Sequence, residues 1–310
     1  MNDAGDPPND PGRAAPNLRL GIITDEVSDD PHEACALIKE WGLEVIELRT
    51  AWGKNLLQLS GAELDQLERA VTENGLEVVG IASPVFKSPL DEQPREQEAD
   101  FALVGVETMA AQLELLERAC RLANRYGAKM VRVFTFWREE LSEEVLGELV
   151  AKLQRGATVA REHDLLLAVE NEPVCIVASG PELGRLFTAL ERDTPAALWP
   201  SIGALWDPGN ALAHGDEDTY PAGYQALEPE KIVHVHLKDL HMELDGRQNF
   251  VPLGEGAFDY RGQLRQLAAD GYHGDLVLEP HYRPEELSRP EAAKACVDAA
   301  AAMLRELELA

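Results

Sequence analysis

The sequence predicts a single (β/α)8 barrel, and three observations carry that expectation. Short apolar runs alternate strictly with amphipathic stretches from residue 18 almost to the C-terminus. Several amphipathic stretches close on a glycine just before the next apolar run, which is how helices stop in a left-handed cap. The chain has 310 residues, long for an ordinary domain but ordinary for such a barrel.

Residues 1–17 are rich in Pro, Asp, Asn and Gly and lack apolar periodicity. They are expected to form a disordered tail, leaving 18–310 as the barrel domain. The first strand is expected over Leu18–Thr24, followed by a helix over Asp30–Trp41 that closes on Gly42. Val45–Arg49 and Gly61–Asn74, closing on Gly75, form the second unit. Val78–Ser83 and Glu107–Tyr126, closing on Gly127, form the third, with a long connection from Pro84 to Val106 expected to carry an active-site loop. Met130–Phe136 precedes Ser142–His163, where Ser142 with Glu143 and Glu144 signals a helix start. Leu165–Asn171 pairs with Pro181–Glu191, and Ile202–Asp207 with Pro221–Leu227. Ile232–Leu237 pairs with Tyr260–Asp270, and Leu276–Glu279 with Arg289–Leu307. A doubly wound sheet is the rival architecture. It usually has fewer strands and a glycine-rich turn after the first, and Ile22-Ile-Thr-Asp-Glu offers none.

Composition narrows the function classes. The formal net charge is -28, from 56 acidic and 28 basic residues, so the protein repels nucleic acid and anionic membranes at long range. Four cysteines, Cys35, Cys120, Cys175 and Cys296, form no Cys-x-x-Cys pair and read as small buried hydrophobes. No apolar run reaches transmembrane length and the N-terminus has no signal-peptide core, so a cytoplasmic location is expected.

Four side chains stand out because they end apolar runs. They are Glu170 in Leu165-Leu-Leu-Ala-Val-Glu, Asp207 in Ile202-Gly-Ala-Leu-Trp-Asp, His236 in Ile232-Val-His-Val-His and Glu279 in Asp275-Leu-Val-Leu-Glu. A buried strand is normally apolar to its end, and an ionisable group there costs energy without a partner. In a barrel these four would converge where strands end, as three carboxylates and an imidazole around one divalent ion. Each also has a bland reading: a surface Glu170, a turn at Asp207-Pro-Gly-Asn, a core His236, and a Glu279 paired with Arg283.

The motifs Val169-Glu-Asn, Trp206-Asp-Pro-Gly-Asn, His234-Val-His-Leu-Lys-Asp, Pro252-Leu-Gly-Glu-Gly-Ala-Phe-Asp-Tyr and Leu278-Glu-Pro-His resemble the xylose isomerase-like barrel superfamily over about residues 18–305. That superfamily includes ketose 3-epimerases, hydroxypyruvate isomerase, inosose dehydratase and, more distantly, endonuclease IV. The resemblance implies that Glu170, Asp207, His236 and Glu279 hold one divalent metal, Mn²⁺ first, with Mg²⁺, Co²⁺ or Zn²⁺ as alternatives. It implies proton transfer next to a carbonyl of a small sugar, polyol-ketone or hydroxy-keto acid, with Glu170 and Glu279 as the catalytic acid and base. His236 is the ligand of the His-x-His pair, and His234 supports it from below. Lys238, Glu172, His281, Asn210 and Glu47 are candidate substrate contacts, although Glu47 could instead pair with Arg49. Trp137 and Phe86 are candidate pocket walls. Two positions depart from the ketose 3-epimerases. Asn210 replaces a histidine three residues after the metal Asp, and His241 and Met242 stand near the place of an arginine. A dehydratase of the inosose or dehydroshikimate type is the alternative chemistry, and a non-catalytic sugar-binding barrel the alternative class. The expected partner is a carbohydrate-like small molecule, with no nucleic acid and no membrane. A homodimer is expected by analogy. The Gly254-Glu-Gly256 segment looks like a phosphate loop, but Glu255 at its centre favours an uncharged substrate.

Overall fold

The structure, a computed structural model, describes residues 18–93, 106–216, 218–243 and 245–309. Among these, eight parallel strands close into one barrel. They are β1 (Leu20–Ile23), β2 (Val45–Leu48), β3 (Glu77–Ala82), β4 (Met130–Val133), β5 (Leu166–Glu170), β6 (Ile202–Trp206), β7 (Ile232–Leu237) and β8 (Leu276–Leu278). Eight helices surround them: α1 (Pro31–Glu40), α2 (Gly61–Glu73), α3 (Met109–Tyr126), α4 (Glu143–Glu162), α5 (Gly180–Asp193), α6 (Pro208–His214), α7 (Tyr260–Ala269) and α8 (Arg289–Glu306). The ring closes where Leu20, Gly21 and Ile22 of β1 pair with Leu276, Val277 and Leu278 of β8. The expected tail at 1–17 lies outside the described residues, as does the centre of the long connection after β3.

Local chemistry explains the element ends. Ser60 and Glu63 form a reciprocal capping box at α2, and Ser142 accepts a hydrogen bond from Val145 N at α4. Helix α3 stops at Gly127, whose φ of 77° is the left-handed conformation that a side chain disfavours. The strands are buried on both faces, between the barrel interior and the helix ring, which is why they read as unbroken apolar runs.

The sixth helix is a correction. Sequence periodicity places it at Pro221–Leu227, but α6 begins immediately after β6, at Pro208. Asp207-Pro-Gly-Asn is a helix start, with Asp207 capping and Pro208 in the first turn. Residues Thr219–Gly223 form a short irregular turn of helix. Beyond the barrel ring, Asp239–Met242 and Gln248–Val251 pair as an antiparallel hairpin after β7. All four cysteines are buried free thiols, and burial pushes Cys35, Cys120 and Cys296 up to about 12.

Candidate metal centre

The barrel register brings the four strand-end groups to one level. Glu170 pairs with Leu205 on β6, one residue before the end of that strand, and His236 pairs with Val277 on β8. Asp207 and Glu279 each follow their strand directly. One ligand atom from each of Glu170, Asp207, His236 and Glu279 lies within 4.8 Å of the others. All four are buried.

Each of the four groups is oriented by its own contacts. Asp207 Oδ1 accepts a hydrogen bond from Asn210 N at 2.9 Å and so caps α6. Its Oδ2 is buried and has no hydrogen bond among the described residues, although Lys238 Nζ lies 3.0 Å away. Asn171, the residue after Glu170, exchanges two hydrogen bonds of 2.8 Å with the Asp207 backbone, tying the end of β5 to the end of β6. Glu170 Oε2 accepts from Arg132 Nη1 at 2.9 Å, and Oε1 accepts from Asn210 Nδ2 at 3.2 Å. Glu279 Oε1 accepts from Arg49 Nη1, and Oε2 accepts from Lys238 Nζ. His236 turns Nδ1 toward the centre, 3.2 Å from Glu170 Oε1 and 3.6 Å from Glu279 Oε2. Its Nε2 faces Glu47 at 3.3 Å on the far side.

The electrostatics follow these partners. Burial alone would raise the Glu170 carboxyl, but the Arg132 guanidinium and His236 hold it below the usual range. Glu279 is likewise buried yet held well below that range by Lys238, His236, His281 and Arg49. Asp207 has no arginine. Burial, with Glu170 and Glu279 nearby, pushes it up to about 6 against the pull of Lys238. Burial opposes charge on His236, but Glu47 and Glu170 on either side raise it well above its ordinary value.

The donor set fits a divalent ion. It offers three carboxylate oxygens and one imidazole nitrogen, with no thiolate, which suits Mn²⁺, Mg²⁺, Co²⁺ or Zn²⁺. Asp207 Oδ2 is buried with no hydrogen bond among the described residues and only the Lys238 ammonium 3.0 Å away, so a cation can take it. Glu47, His234 and His236 form a second close group. There Glu47 contacts both imidazoles, and the rings of His234 and His236 meet edge-on at 5.4 Å. This resembles the carboxylate–imidazole contact that fixes the orientation of a metal-ligating histidine.

The model of the xylose isomerase-like TIM barrel family matches residues 35–307. The chain belongs to that family. SgbU of Escherichia coli (strain K12), provisionally named an L-ribulose-5-phosphate 3-epimerase, is 25% identical over 280 residues, covering 85% of this chain and 88% of that protein. Among solved structures, the IOLI protein with a bound zinc atom superposes with a TM-score of 0.73 at 18% identity, over 94% of this chain and 99% of that one. The 3-keto-D-glucoside 4-epimerase YcjR from E. coli gives 0.65 at 18% identity, over 93% of this chain and 99% of that one.

Within this xylose isomerase-like barrel, the remaining sequence candidates fall in different places. Lys238 is not an exposed loop lysine: it is 4% exposed and reaches Asp207, Asn210 and Glu279. Asn210 also donates to Glu172 Oε2 at 3.4 Å, so Glu172 stands beside Glu170. His281 sits at the rim, with Nδ1 3.0 Å from Glu26 Oε1 and its ring against Phe250. Glu47 is 0% exposed beneath His236, and Arg49 is turned instead to Asp25, Glu26 and Glu279. Arg283 pairs with Glu26 at 2.7 Å rather than with Glu279. Phe86 is core, stacked on Phe136 at 5.0 Å, and Trp137 is buried as well. The Gly254 and Gly256 amides donate to Asp239 Oδ2 at 2.8 and 3.0 Å, so the chain's own carboxylate fills the loop that looked fit for phosphate.

Sequence reasoning missed Arg132, Asn171 and Lys87. Arg132 carries the same signal as the ligands, a charged residue inside the apolar run Met130-Val-Arg-Val. Lys87 is 7% exposed, lies 3.5 Å from Glu172 Oε1 and covers one side of the Phe134 ring at 4.7 Å. Arg132 packs on the same ring at 4.5 Å.

Among the described residues no helix is long and apolar enough to cross a membrane.

Proposed function

We propose that this barrel is a divalent-metal-dependent isomerase or epimerase that moves a proton at the carbon beside a carbonyl of a small sugar or polyol-ketone. The observation that carries the reading is the placement of Glu170 and Glu279 on either side of His236 Nδ1, with Asp207 completing the donor set. The epimerase name of SgbU, a relative across the whole barrel, supports the reaction class.

Glu170, Asp207, His236 and Glu279 would hold the ion, with Mn²⁺ as the first choice. When bound, the ion supplies an electrophile for the substrate carbonyl and the negative charge that develops there. Glu170 and Glu279 approach from strands β5 and β8, so one can take the proton and the other return it. Arg132 and Arg49 fix those carboxylates by buried ion pairs and limit their rotation. Asn210, bonded to Lys238 and Glu172, would form with them and Lys87 one polar wall for substrate hydroxyls, with His281 at the rim. Glu47 would act through His236, by keeping a proton on Nε2 and leaving Nδ1 free to ligate. Asp239 engages the Gly254 and Gly256 amides, which favours a substrate that places no phosphate there.

A dehydratase on the same centre is the second reading. Lys238, a cationic donor beside Glu279, favours it, because a lyase must protonate a departing hydroxyl. The test is deuterium incorporation from D₂O into ketoses, inososes and hydroxy-keto acids by chelator-treated protein, with and without added Mn²⁺. Metal-dependent exchange beside the carbonyl with retained mass class supports the isomerase, and loss of water supports the lyase. Saturable metal binding with no exchange across the panel counts against both.

A further inference from the structure

We propose that Lys238 is a built-in competitor for the metal, its ammonium holding carboxylate oxygens that the ion would need, so that the ion binds by displacing it. The proposal rests on the reading of Glu170, Asp207, His236 and Glu279 as metal ligands. Lys238 Nζ lies 3.0 Å from Asp207 Oδ2 and within hydrogen-bond distance of Glu279 Oε2, the same oxygens that a central ion would use. Its third contact, Asn210 Oδ1 at 3.1 Å, belongs to no ligand. An ammonium and a divalent ion cannot both sit against those two carboxylate oxygens without repulsion at low local dielectric.

The position of this lysine is built rather than accidental. Its backbone carbonyl accepts a hydrogen bond from Tyr260 Oη at 2.6 Å. Its stem runs across the first turn of α6, where a Cβ added to Gly209 would stand 2.2 Å from Lys238 Cγ and 2.4 Å from its carbonyl oxygen. Only glycine at 209 leaves that path open. The charge count points the same way. The three ligand carboxylates already face Arg132, Arg49 and Lys238. Arg49 is shared with Asp25 and Glu26, whereas the Lys238 ammonium pairs with Asp207 and Glu279. Arg132 meets Glu170 at Oε2 and Arg49 meets Glu279 at Oε1, whereas the Lys238 ammonium touches both Asp207 and Glu279. Lys238 is thus the cation that must give way. Once Asp207 and Glu279 face the ion, the ammonium retains its contact with Asn210.

The test is calorimetric titration of chelator-treated wild type, Lys238→Met, Lys238→Gln and Lys238→Arg with Mn²⁺ and with Zn²⁺ at one pH, after circular dichroism has verified folding. Removing the charge in the Met and Gln variants should tighten binding by roughly 10- to 100-fold, the scale expected for a buried like charge beside an ion. Lys238→Arg, which keeps the charge, should not tighten. Equal or weaker binding in both Met and Gln variants would overturn the proposal alone and make Lys238 a support for the ligands. Absence of saturable binding in wild type and all variants would remove the metal reading itself, and the proposal with it.

Discussion

Strands β5 to β8 carry Glu170, Asp207, His236 and Glu279, whereas β4 and the end of β2, across the ring, supply Arg132 and Arg49, each aimed at one carboxylate of the first set. One half of the mouth carries the proposed donor set, and the other half supplies a guanidinium partner to two of its carboxylates. The contrast shows what the cationic neighbours do. Glu170, beside Arg132 and His236, and Glu279, beside Lys238, His236, His281 and Arg49, are held below the usual carboxylate range despite complete burial. Asp207, which has no guanidinium, is pushed up to about 6. These cations hold the two proposed proton-transfer groups below the usual range, whereas Lys238 does not offset burial at Asp207, the proposed ligand most dependent on a bound cation.

The largest effects should separate the two halves cleanly. Glu170→Gln and Glu279→Gln should each lower turnover by about 10²- to 10⁴-fold with unchanged circular dichroism. Full activity in both would remove the two-carboxylate mechanism. Arg49→Met should instead damage the fold, by about 3–5 kcal/mol in urea unfolding, because buried charges lose their partner. Arg49 serves Asp25, Glu26 and Glu279, whereas Arg132 reaches one carboxylate, so Arg132→Met should cost less. The reverse order would break the assignment of Arg49 as the main counter-charge.

Asp207 gives a pH test. Its folded value of about 6 lies above the ordinary 3.8, so the native state holds this proton more tightly than the unfolded chain. Its contribution favours folding below about pH 4 and is lost as pH rises through 6. In chelator, Asp207→Asn should therefore gain stability over wild type at pH 8, by up to about 3 kcal/mol, and lose that advantage near pH 4. The same substitution should weaken metal binding, and unchanged affinity would take Asp207 out of the donor set. The smallest effect belongs to the contact behind His236. Glu47→Gln should lower metal affinity by about 10- to 100-fold, measured by competition with a chromophoric chelator, while the free protein keeps its far-UV spectrum. An unaltered affinity would reduce the Glu47 contact to packing.

The convergence of the four strand-end groups was legible because each ends an apolar run; singly each has a bland reading, and together they point to one place. Arg132 interrupts an apolar run in Met130-Val-Arg-Val but drew no notice, since a lone cation suggests no chemistry until its partner strand is known. Sequence proximity leaves a Glu47 pair open to Arg49, and the structure gives Arg49 other partners. Glu47 is two residues away, yet the guanidinium bonds to Glu279, far along the chain and adjacent only once β1 has paired with β8. Helix α6 was displaced because Asp, Pro, Gly and Asn serve turns and helix starts alike, and only the geometry after β6 decides between them. The apparent phosphate loop failed for a similar reason. Nothing local in Gly254-Glu-Gly256 reveals that Asp239, fifteen residues before Gly254, accepts its amides.

The four enclosed thiols have a practical consequence. With Cys35, Cys120 and Cys296 pushed up to about 12 and Cys175 sealed in the core, neutral-pH maleimide chemistry should find no native target. One cysteine introduced at Met242, which is 41% exposed on the hairpin after β7, would then accept a spin label or fluorophore in the otherwise wild-type chain. The barrel can carry a reporter on its own rim without first being stripped of cysteines.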